Sequence, residues 1–216
     1  MTARADIALR IGVVAVALGL WFWTQRLIGR KSSPASGGVG DRLHVWSAPL
    51  HGWLLSHPRA ADAVLIVTSL FVDLFGLYLF GSAVLGPTLR PLVAILIVFA
   101  LRQVCQATCT LPTPPGIIWR HPGFPSLLVT YGVSNDFFFS GHTAIAVLGA
   151  LELAQAGPPW LAAVAAVIAV FEAAAVIVLR AHYTMDVFAA VFTAWAAHTL
   201  AQHIAPSIDL WLGGLL

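Results

Sequence analysis

The sequence predicts an all-α integral membrane protein with six transmembrane helices and one interfacial helix between the first two. Of its 216 residues, 59% are hydrophobic and 9% are charged, whereas soluble domains carry roughly 25% charged residues. Apolar runs of about 20 residues, the length that a helix needs to cross hydrocarbon, recur along the chain. The runs are too long for the strands of a membrane barrel and lack their alternation. A net charge of +2 from scattered basic residues disfavours nucleic acid as a partner.

The six predicted transmembrane helices form a single membrane domain of residues 1–216. They cover residues 11–28, 63–85, 92–111, 137–156, 159–179 and 185–204. The first apolar run has the character of a signal peptide, but no small-residue cleavage site follows it. We therefore interpret it as a retained membrane helix.

The region between the first two helices contains a Ser/Gly/Pro-rich linker, residues 31–41, and a predicted interfacial helix, residues 43–55. That helix combines tryptophans with His44 and His51, and tryptophan prefers the headgroup level. With six crossings, the loops after the first, third and fifth helices share one face of the membrane. Cys105 and Cys109 are interpreted as small core residues, because a disulfide or metal site needs other geometry or further ligands.

The first polar motif on that face is Asp136-Phe-Phe-Phe-Ser-Gly-His-Thr, where the fourth helix begins. Ser140 is a favourable N-cap residue, and Gly141 lets a ligand approach the backbone closely. A helix N-terminus has unbonded N–H groups and a partial positive charge, which suit a phosphate. His142 lies in the first turn, beside any anion bound there. The alternative is a capped helix whose histidine is only interfacial.

The second motif is Arg180-Ala-His-Tyr-Thr-Met-Asp-Val, where the fifth helix ends and the sixth begins. His182 and Asp186 are four residues apart and share one helix face. An Asp that accepts a hydrogen bond from one imidazole nitrogen fixes the tautomer and leaves the other nitrogen as a nucleophile or base. Arg180 offers donors that match phosphate oxygens. The alternatives are a His–Asp pair that joins helix ends and an arginine that reaches the lipid headgroups.

Arg102 lies inside the third helix, where an arginine is costly unless an anion meets it. Either Glu172 in the fifth helix is that partner, or Arg102 binds a phosphate that enters from the helix end. Two histidines, a His–Asp pair and two arginines on one face predict an anion-binding site with a nucleophile, an acid and an orienting carboxylate.

These motifs resemble the two signature motifs of the sphingomyelin synthase family, a branch of the lipid phosphate phosphatase (PAP2) superfamily. Asp136-Phe-Phe-Phe-Ser-Gly-His-Thr and His182-Tyr-Thr-Met-Asp-Val carry the resemblance. Arg102, followed by Leu-Pro-Thr-Pro-Pro-Gly, is similar to a third segment of that family. The resemblance covers residues 102–187. Val176 stands where the phosphatases place an arginine, and their Lys-x6-Arg-Pro segment is absent, which favours the synthase branch.

The resemblance implies a membrane phosphotransferase. His182 would attack the phosphorus of a phospholipid donor and form a phospho-histidine, supported by Asp186. His142 would protonate the leaving diacylglycerol and then activate the acceptor. The acceptor would be a lipid alcohol such as ceramide, and the alternative is water, as in a lipid phosphatase or a phospholipase-C-like hydrolase. A non-enzymatic lipid scramblase is a third hypothesis, although headgroup binding alone needs no nucleophile.

The resemblance also implies how the phosphate is held. No metal or other cofactor is expected, because arginines and a helix N-terminus supply the positive charge. The expected phosphate-binding residues are Arg102, Ser140, Gly141 and Arg180. Further candidates to support the reacting groups are Asp136, Glu172 and Tyr183.

The side of the membrane that the site faces stays open. The basic residues on the site face outside the site are Arg26, Arg30, Lys31, Arg42, Arg59 and Arg120. The basic residues on the opposite face are Arg4, Arg10 and Arg90. The positive-inside rule points the site to the cytoplasm, whereas the resemblance implies the lumenal or outer leaflet. The sequence leaves the donor headgroup and the oligomeric state open as well.

Overall fold

The computed structural model describes residues 3–30, 39–131 and 137–215, and over these ranges it is helical with no strand. The helices are α1 (Ala3–Ile28), α2 (Arg42–Trp46), α3 (Ala48–Ser56), α4 (Pro58–Leu85), α5 (Arg90–Thr108), α6 (Gly141–Ala156), α7 (Pro159–Val178) and α8 (Thr184–Leu215). All six predicted long helices are therefore present, as α1 and α4 to α8.

Several of the predicted boundaries need correction. α6 begins at Gly141 rather than at residue 137, because Ser140 is extended and caps the helix. α8 continues to Leu215, well past the predicted end at residue 204. The predicted interfacial helix is two short helices, α2 and α3, which meet at Ser47 just before Pro49 in the first turn of α3.

α5 ends at Thr108, three residues before the predicted end at residue 111, and the backbone becomes extended at Cys109. Cys109 is exposed and Cys105 is partly exposed. The prediction that both cysteines are core residues is therefore wrong. Cys109 instead lies at an apolar groove that Leu111 and Met185 also line.

Four helices are long and apolar enough to cross a membrane: Ile7–Leu27 within α1, and the whole of α4, α5 and α7. α6 has 16 residues and spans about 24 Å at a rise of 1.5 Å per residue, less than the ~30 Å hydrocarbon core. α8 is long enough, but His198 and Gln202 interrupt its apolar stretch. These four helices indicate a helical membrane protein. The six predicted crossings are not confirmed.

α6 lies at the centre of the bundle, packed on α4, α7 and α8, while α5 packs on α8 and α4. Small residues permit this close approach, as is usual between membrane helices. The buried face of α8 carries alanines that are at most 1% exposed, namely Ala190, Ala194, Ala197, Ala201 and Ala205. On α6, a Cβ at Gly149 would lie 2.3 Å from the ring of Phe75 on α4.

Residues 109–131, which follow α5, fold over one end of the bundle. Asp73 on α4 holds this segment, since its carboxylate accepts the N–H groups of Leu127 and Leu128, both at 2.9 Å. The N–H of Ile118 donates to the carbonyl of Leu179 at 2.8 Å. These contacts bring the segment over the starts of α6 and α8, where the predicted site residues lie.

Candidate active site

Ser140 caps the N-terminus of α6, as the sequence predicts. Its Oγ accepts from the Thr143 N–H at 3.3 Å and lies 3.0 Å from the Thr143 hydroxyl. The Ser140 N–H donates to the carbonyl of Asp186 at 3.2 Å, which fixes the start of α6 against the start of α8. A Cβ at Gly141 would lie 3.5 Å from Arg102 Nε. The guanidinium therefore packs against the first turn of α6.

Arg102 reaches this turn from α5 and is 7% exposed. Its Nε donates to the carbonyl of Phe139 at 2.8 Å. When the Gln25 amide is oriented with its oxygen toward them, that oxygen accepts from Arg102 Nη1 and Gln103 Nε2 at 3.1 Å and from Trp21 Nε1 at 3.3 Å. A buried guanidinium held from two sides in front of a helix N-terminus is preorganised to bind a phosphate.

Glu172 is not the partner of Arg102, which corrects one of the two predicted alternatives. It is fully buried in α7, and its two carboxyl oxygens have no hydrogen-bond partner among the described residues. Glu172 therefore neither pairs with Arg102 nor lines the cavity described below.

His182 lies in the turn before α8 and is 6% exposed. Its Nδ1 lies 2.7 Å from the carbonyl oxygen of Phe137. Because a carbonyl can only accept, Nδ1 carries the proton and Nε2 keeps its lone pair. The backbone carbonyl of His182 accepts from His44 Nε2 at 2.9 Å. The imidazole is thus oriented in the tautomer that a nucleophile or base needs.

Asp186 is fully buried one turn further along α8. Its Oδ2 accepts the Tyr183 N–H at 2.9 Å and lies 3.6 Å from His182 Nδ1. The carbonyl of Phe137, rather than this carboxylate, makes the hydrogen bond that orients the imidazole. Asp186 is close enough to stabilise a positive charge on His182.

His142 completes the site from the first turn of α6, where it is 8% exposed. The Trp119 ring meets its imidazole edge-on, with centroids 5.2 Å apart. The Nε2 of His142 is buried with no hydrogen-bond partner among the described residues. Such an unmet polar atom is typical of a site that a ligand completes.

A single cavity brings His142, His182, Arg102 and Gly141 together. Its remaining wall is mainly apolar and aromatic and comes from α1, α4, α5, α6, the segment before α6 and the turn before α8. These further lining residues are Trp21, Gln25, Val72, Phe99, Trp119, Leu128, Val129, Thr130, Phe137, Ile145 and Ala181. Within the described ranges, no group of three His, Cys, Asp or Glu side chains is placed to hold a metal ion.

Five of the predicted site residues are not among those that line this cavity, namely Ser140, Glu172, Arg180, Tyr183 and Asp186. Arg180 Nη2 donates to the carbonyl of His44 at 3.1 Å, and the residue has a left-handed backbone with φ of 55°. The Tyr183 hydroxyl donates to the carbonyl of Pro112 at 3.1 Å. Both residues join α2 and the end of α5 to the start of α8. The predicted Asp136 lies outside the described residues.

The sequence analysis missed several residues that build the site. Gln25 and Trp21 on α1 support Arg102, and Trp119 packs on His142. His44 holds the turn that carries His182, while His51 Nδ1 lies 2.8 Å from the carbonyl of Val178. Two features of the sequence could have indicated these residues. One is Gln25, a polar residue inside an apolar helix. The other is the pair of histidines, His44 and His51, seven residues apart in a tryptophan-rich segment.

The fold and the site define a helical membrane protein whose buried cavity combines two histidines, an arginine and a helix N-terminus. The chain belongs to the AtPDCT1/2 family, whose profile matches residues 41–203. It is 26% identical over 175 residues to phosphatidylcholine:diacylglycerol cholinephosphotransferase 1 of Arabidopsis thaliana. The aligned segment covers 79% of this chain and 55% of that protein.

A second Arabidopsis thaliana relative, phosphatidylcholine:diacylglycerol cholinephosphotransferase 2, is 25% identical over 171 residues, or 79% of this chain and 56% of the relative. The chain thus spans about half the length of both relatives. No solved structure matches it significantly. α1, which supplies Gln25 and Trp21, lies outside the segment that the family profile matches.

Proposed function

We propose that this protein transfers a phospho-headgroup between two membrane lipids, from a glycerophospholipid to a lipid alcohol. The carrying observation is the cavity in which His182, His142 and Arg102 meet at the N-terminus of α6. The names of the two relatives support phosphatidylcholine as donor and diacylglycerol as acceptor. Ceramide, which the resemblance to sphingomyelin synthases implies, is the alternative lipid acceptor. The motifs at His142 and His182 support membership of that branch of the PAP2 superfamily.

The first half of the reaction forms a phospho-histidine. His182 Nε2 attacks the phosphorus of the donor, the bond from phosphorus to the diacylglycerol oxygen breaks, and protonated His142 gives its proton to that oxygen. Arg102 and the N–H groups at the start of α6 neutralise the charge that develops on the phosphoryl oxygens. Asp186, 3.6 Å from His182 Nδ1, stabilises the cationic ring.

The second half returns the headgroup to an alcohol. His142, now neutral, takes the proton of the acceptor hydroxyl as its oxygen attacks phosphorus, and the bond from phosphorus to His182 Nε2 breaks. With diacylglycerol as acceptor, the products are chemically like the reactants, so the enzyme exchanges headgroups between diacylglycerol pools. Water in place of the alcohol would give hydrolysis.

The membrane arrangement belongs to the same proposal. We place the chain as one multi-pass membrane domain with six crossings, in which α6 and α8 cross beside α4, α5 and α7. Large apolar side chains on the outer face of α8 support this arrangement, namely Phe188, Phe192 and Trp195, each more than half exposed. The site then lies at one end of the bundle, within reach of lipid headgroups.

The decisive experiment is headgroup exchange in vesicles. Purified protein is given phosphatidylcholine labelled in its phosphocholine group, together with diacylglycerol, ceramide or neither, and the products are resolved by mass spectrometry. We expect label in new phosphatidylcholine that carries the added diacylglycerol's acyl chains. Label in sphingomyelin alone would identify ceramide as the acceptor. Labelled phosphocholine released into water would make the protein a hydrolase.

The role of His182 is tested in the same assay. His182→Ala should abolish exchange, and acid-labile label should be trapped on the wild-type protein but not on this variant. His203→Ala is the matched control, because His203 is exposed on α8, the helix that follows His182. Exchange that persists in His182→Ala would refute the covalent mechanism.

A further inference from the structure

Resting on the proposed function, the geometry points to a second recognition element in the same cavity. We propose that the aromatic rings of Trp21, Phe99 and Trp119 bind the quaternary ammonium of the donor headgroup. They would thereby select choline over headgroups that end in a primary ammonium. Trp21, moreover, comes from a helix that the family profile does not cover.

The cavity has an aromatic wall and no acidic one in the part of the chain that the structure describes. Four rings line it, those of Trp21, Phe99, Trp119 and Phe137, and its ionisable lining groups are an arginine and two histidines. The donor's phosphate matches these basic groups. Its cationic end has no described carboxylate in the lining, so the negative faces of the aromatic rings are the groups suited to it.

Trp21 belongs to the hydrogen-bonded assembly that holds Arg102, and the other two rings are held by stacking or by a separate hydrogen bond. Trp21 stacks on Phe99 with centroids 5.0 Å apart and planes within 9°, and its Nε1 donates to the Gln25 oxygen that also accepts from Arg102. Trp119 Nε1 donates to the carbonyl of Thr130 at 3.3 Å. A phosphate on Arg102 therefore leaves a headgroup tethered by two carbons in the neighbourhood of these rings.

The same lining disfavours a primary ammonium. An –NH₃⁺ group brings three donors that need acceptors when they are buried, whereas a trimethylammonium has none. With its amide turned so that the oxygen faces them, Gln25 accepts from three groups, and one lone pair of the Thr130 carbonyl accepts from Trp119. Ethanolamine would thus compete for few free acceptors, and choline would need none.

The test compares two donors on each protein preparation. Exchange rates are measured with phosphatidylcholine and phosphatidylethanolamine of identical acyl chains for wild type, Trp21→Leu and Trp21→Phe. We expect Trp21→Leu to lower kcat/KM for phosphatidylcholine about tenfold, with a much smaller fall for phosphatidylethanolamine. Trp21→Phe, which keeps an aromatic face, should restore part of the preference. Trp23→Leu is the matched control, since Trp23 is 59% exposed on the same helix.

The outcomes separate this inference from the proposed function. A wild-type protein that exchanges neither donor would refute the proposed function. A wild-type protein that prefers phosphatidylcholine, together with a Trp21→Leu variant that keeps the same ratio of rates, would overturn the aromatic site alone. Loss of the preference in Asp136→Asn but not in Trp21→Leu would assign the cation to that carboxylate instead. Because the ratio does not depend on the amount of folded protein, a poorly folding variant still reports, and Phe99→Leu provides an independent second reading.

Discussion

Two buried polar layers in the same three helices behave in opposite ways. In one, which we call the catalytic layer for its proposed role, α5, α6 and α8 contribute Arg102, His142 and Asp186. In a second layer, which we call the structural layer, the same helices contribute Arg90, Glu152 and His198. The layers are ten to twelve residues apart along each helix, or about 15–18 Å at 1.5 Å per residue.

The structural layer satisfies its own hydrogen bonds. Arg90 donates through Nε and Nη2 to Glu152 Oε2, at 3.2 and 2.7 Å. His198 Nδ1 lies 2.9 Å from Glu152 Oε1, and its Nε2 lies 3.0 Å from Gln202 Nε2. Where water is excluded, such mutual satisfaction is what allows charges to be buried.

Within the described residues, the catalytic layer leaves some of its hydrogen-bonding atoms without a partner. His142 Nε2 and Asp186 Oδ1 are buried with no hydrogen-bond partner among the described residues. The difference teaches that burial and charge do not identify a site, because both layers have them. An unpartnered buried polar atom marks a site when the residue also lines a cavity, as His142 does.

The sharpest way to break the comparison is to replace the arginine of each layer by leucine. Arg102→Leu should lower kcat/KM for exchange by about 10²–10³-fold, since it removes a preorganised donor to the developing charge. Arg90→Leu should instead destabilise the fold by about 3–5 kcal/mol, because it removes the paired charge of the buried Glu152 carboxylate and leaves it only the hydrogen bond with His198. Thermal unfolding in detergent and exchange per folded molecule measure the two effects.

The expected pattern is crossed: activity is lost in one variant and stability in the other. If Arg102→Leu lowered the unfolding temperature as much as Arg90→Leu, both layers would be structural. If Arg90→Leu lost activity at full stability, the distinction between the layers would fail.

The sequence predicted the catalytic layer better than the structural one, for physical reasons. Ser140, His142, His182 and Asp186 belong to local motifs at helix starts, where capping rules and one-turn spacing apply. The structural layer depends on single residues far apart in the chain, Glu152 and His198, each of which reads alone as an isolated polar residue. Their contact depends on how α6 packs on α8, which no local pattern encodes.

Long-range packing also explains the errors at the site. Arg102 and Glu172 are opposite charges in two apolar helices, yet α7 packs on α6 and α4 while α5 packs on α8 and α4. Gln25 supports Arg102 only because α1 packs on α5. Arg180 has a positive φ just after α7, and its side chain bonds to α2. Its sequence position alone could not show this.

The next largest effect concerns the carboxylate of the catalytic layer. Asp186→Asn keeps an acceptor for the Tyr183 N–H but removes the negative charge 3.6 Å from His182 Nδ1. We expect exchange to fall about 10- to 100-fold, the range for losing a charge-assisted interaction of 1.5–3 kcal/mol, while the unfolding temperature changes little. Exchange kinetics with labelled donor measure the loss.

Asp209→Asn is the control on the same helix, because Asp209 accepts from Thr88 and the Leu89 N–H at the far end of α8. That variant should keep its exchange rate. An Asp186→Asn protein with wild-type kinetics would show that the carbonyl of Phe137 alone orients His182.

A smaller effect tests whether α1 belongs to the catalytic layer. Gln25→Ala removes the oxygen that accepts from Arg102 Nη1, and we expect kcat/KM to fall about 5- to 10-fold, for roughly 1 kcal/mol of lost hydrogen bonding. If Gln25 acts through Arg102, the same substitution should have no further effect in an Arg102→Leu background. Thr24→Ala, which only loses a bond to its own helix backbone, is the control. Additive losses in the double variant would make Gln25 a structural residue.

The smallest expected effect lies where the catalytic layer meets water. Asp41 caps α2 and accepts from both the N–H and the hydroxyl of Thr184, each at 2.6 Å. Burial opposes ionisation of Asp41, but the hydrogen bonds from Thr184 and from the His44 N–H outweigh it and lower the pKa of the carboxyl below 3.8. A lowered folded-state pKa means that the stabilisation is complete above about pH 4. It is lost as the pH falls through the folded-state value.

Lowering the pH should therefore loosen the catalytic end first, while the enclosed structural layer keeps its protection. Hydrogen exchange at the amides of Leu43 and Thr184 should accelerate below about pH 4 in the wild type. At neutral pH, Asp41→Asn should show faster hydrogen exchange at these amides, because the weakened cap lowers the free energy of local opening by about 1 kcal/mol. This variant should show no acceleration below about pH 4. Asp62→Asn, which breaks only a surface pair with Arg120, should keep the wild-type step, since surface pairs contribute little. An acid step that survives in Asp41→Asn would place the pH sensitivity elsewhere and remove Asp41 from the support of the site.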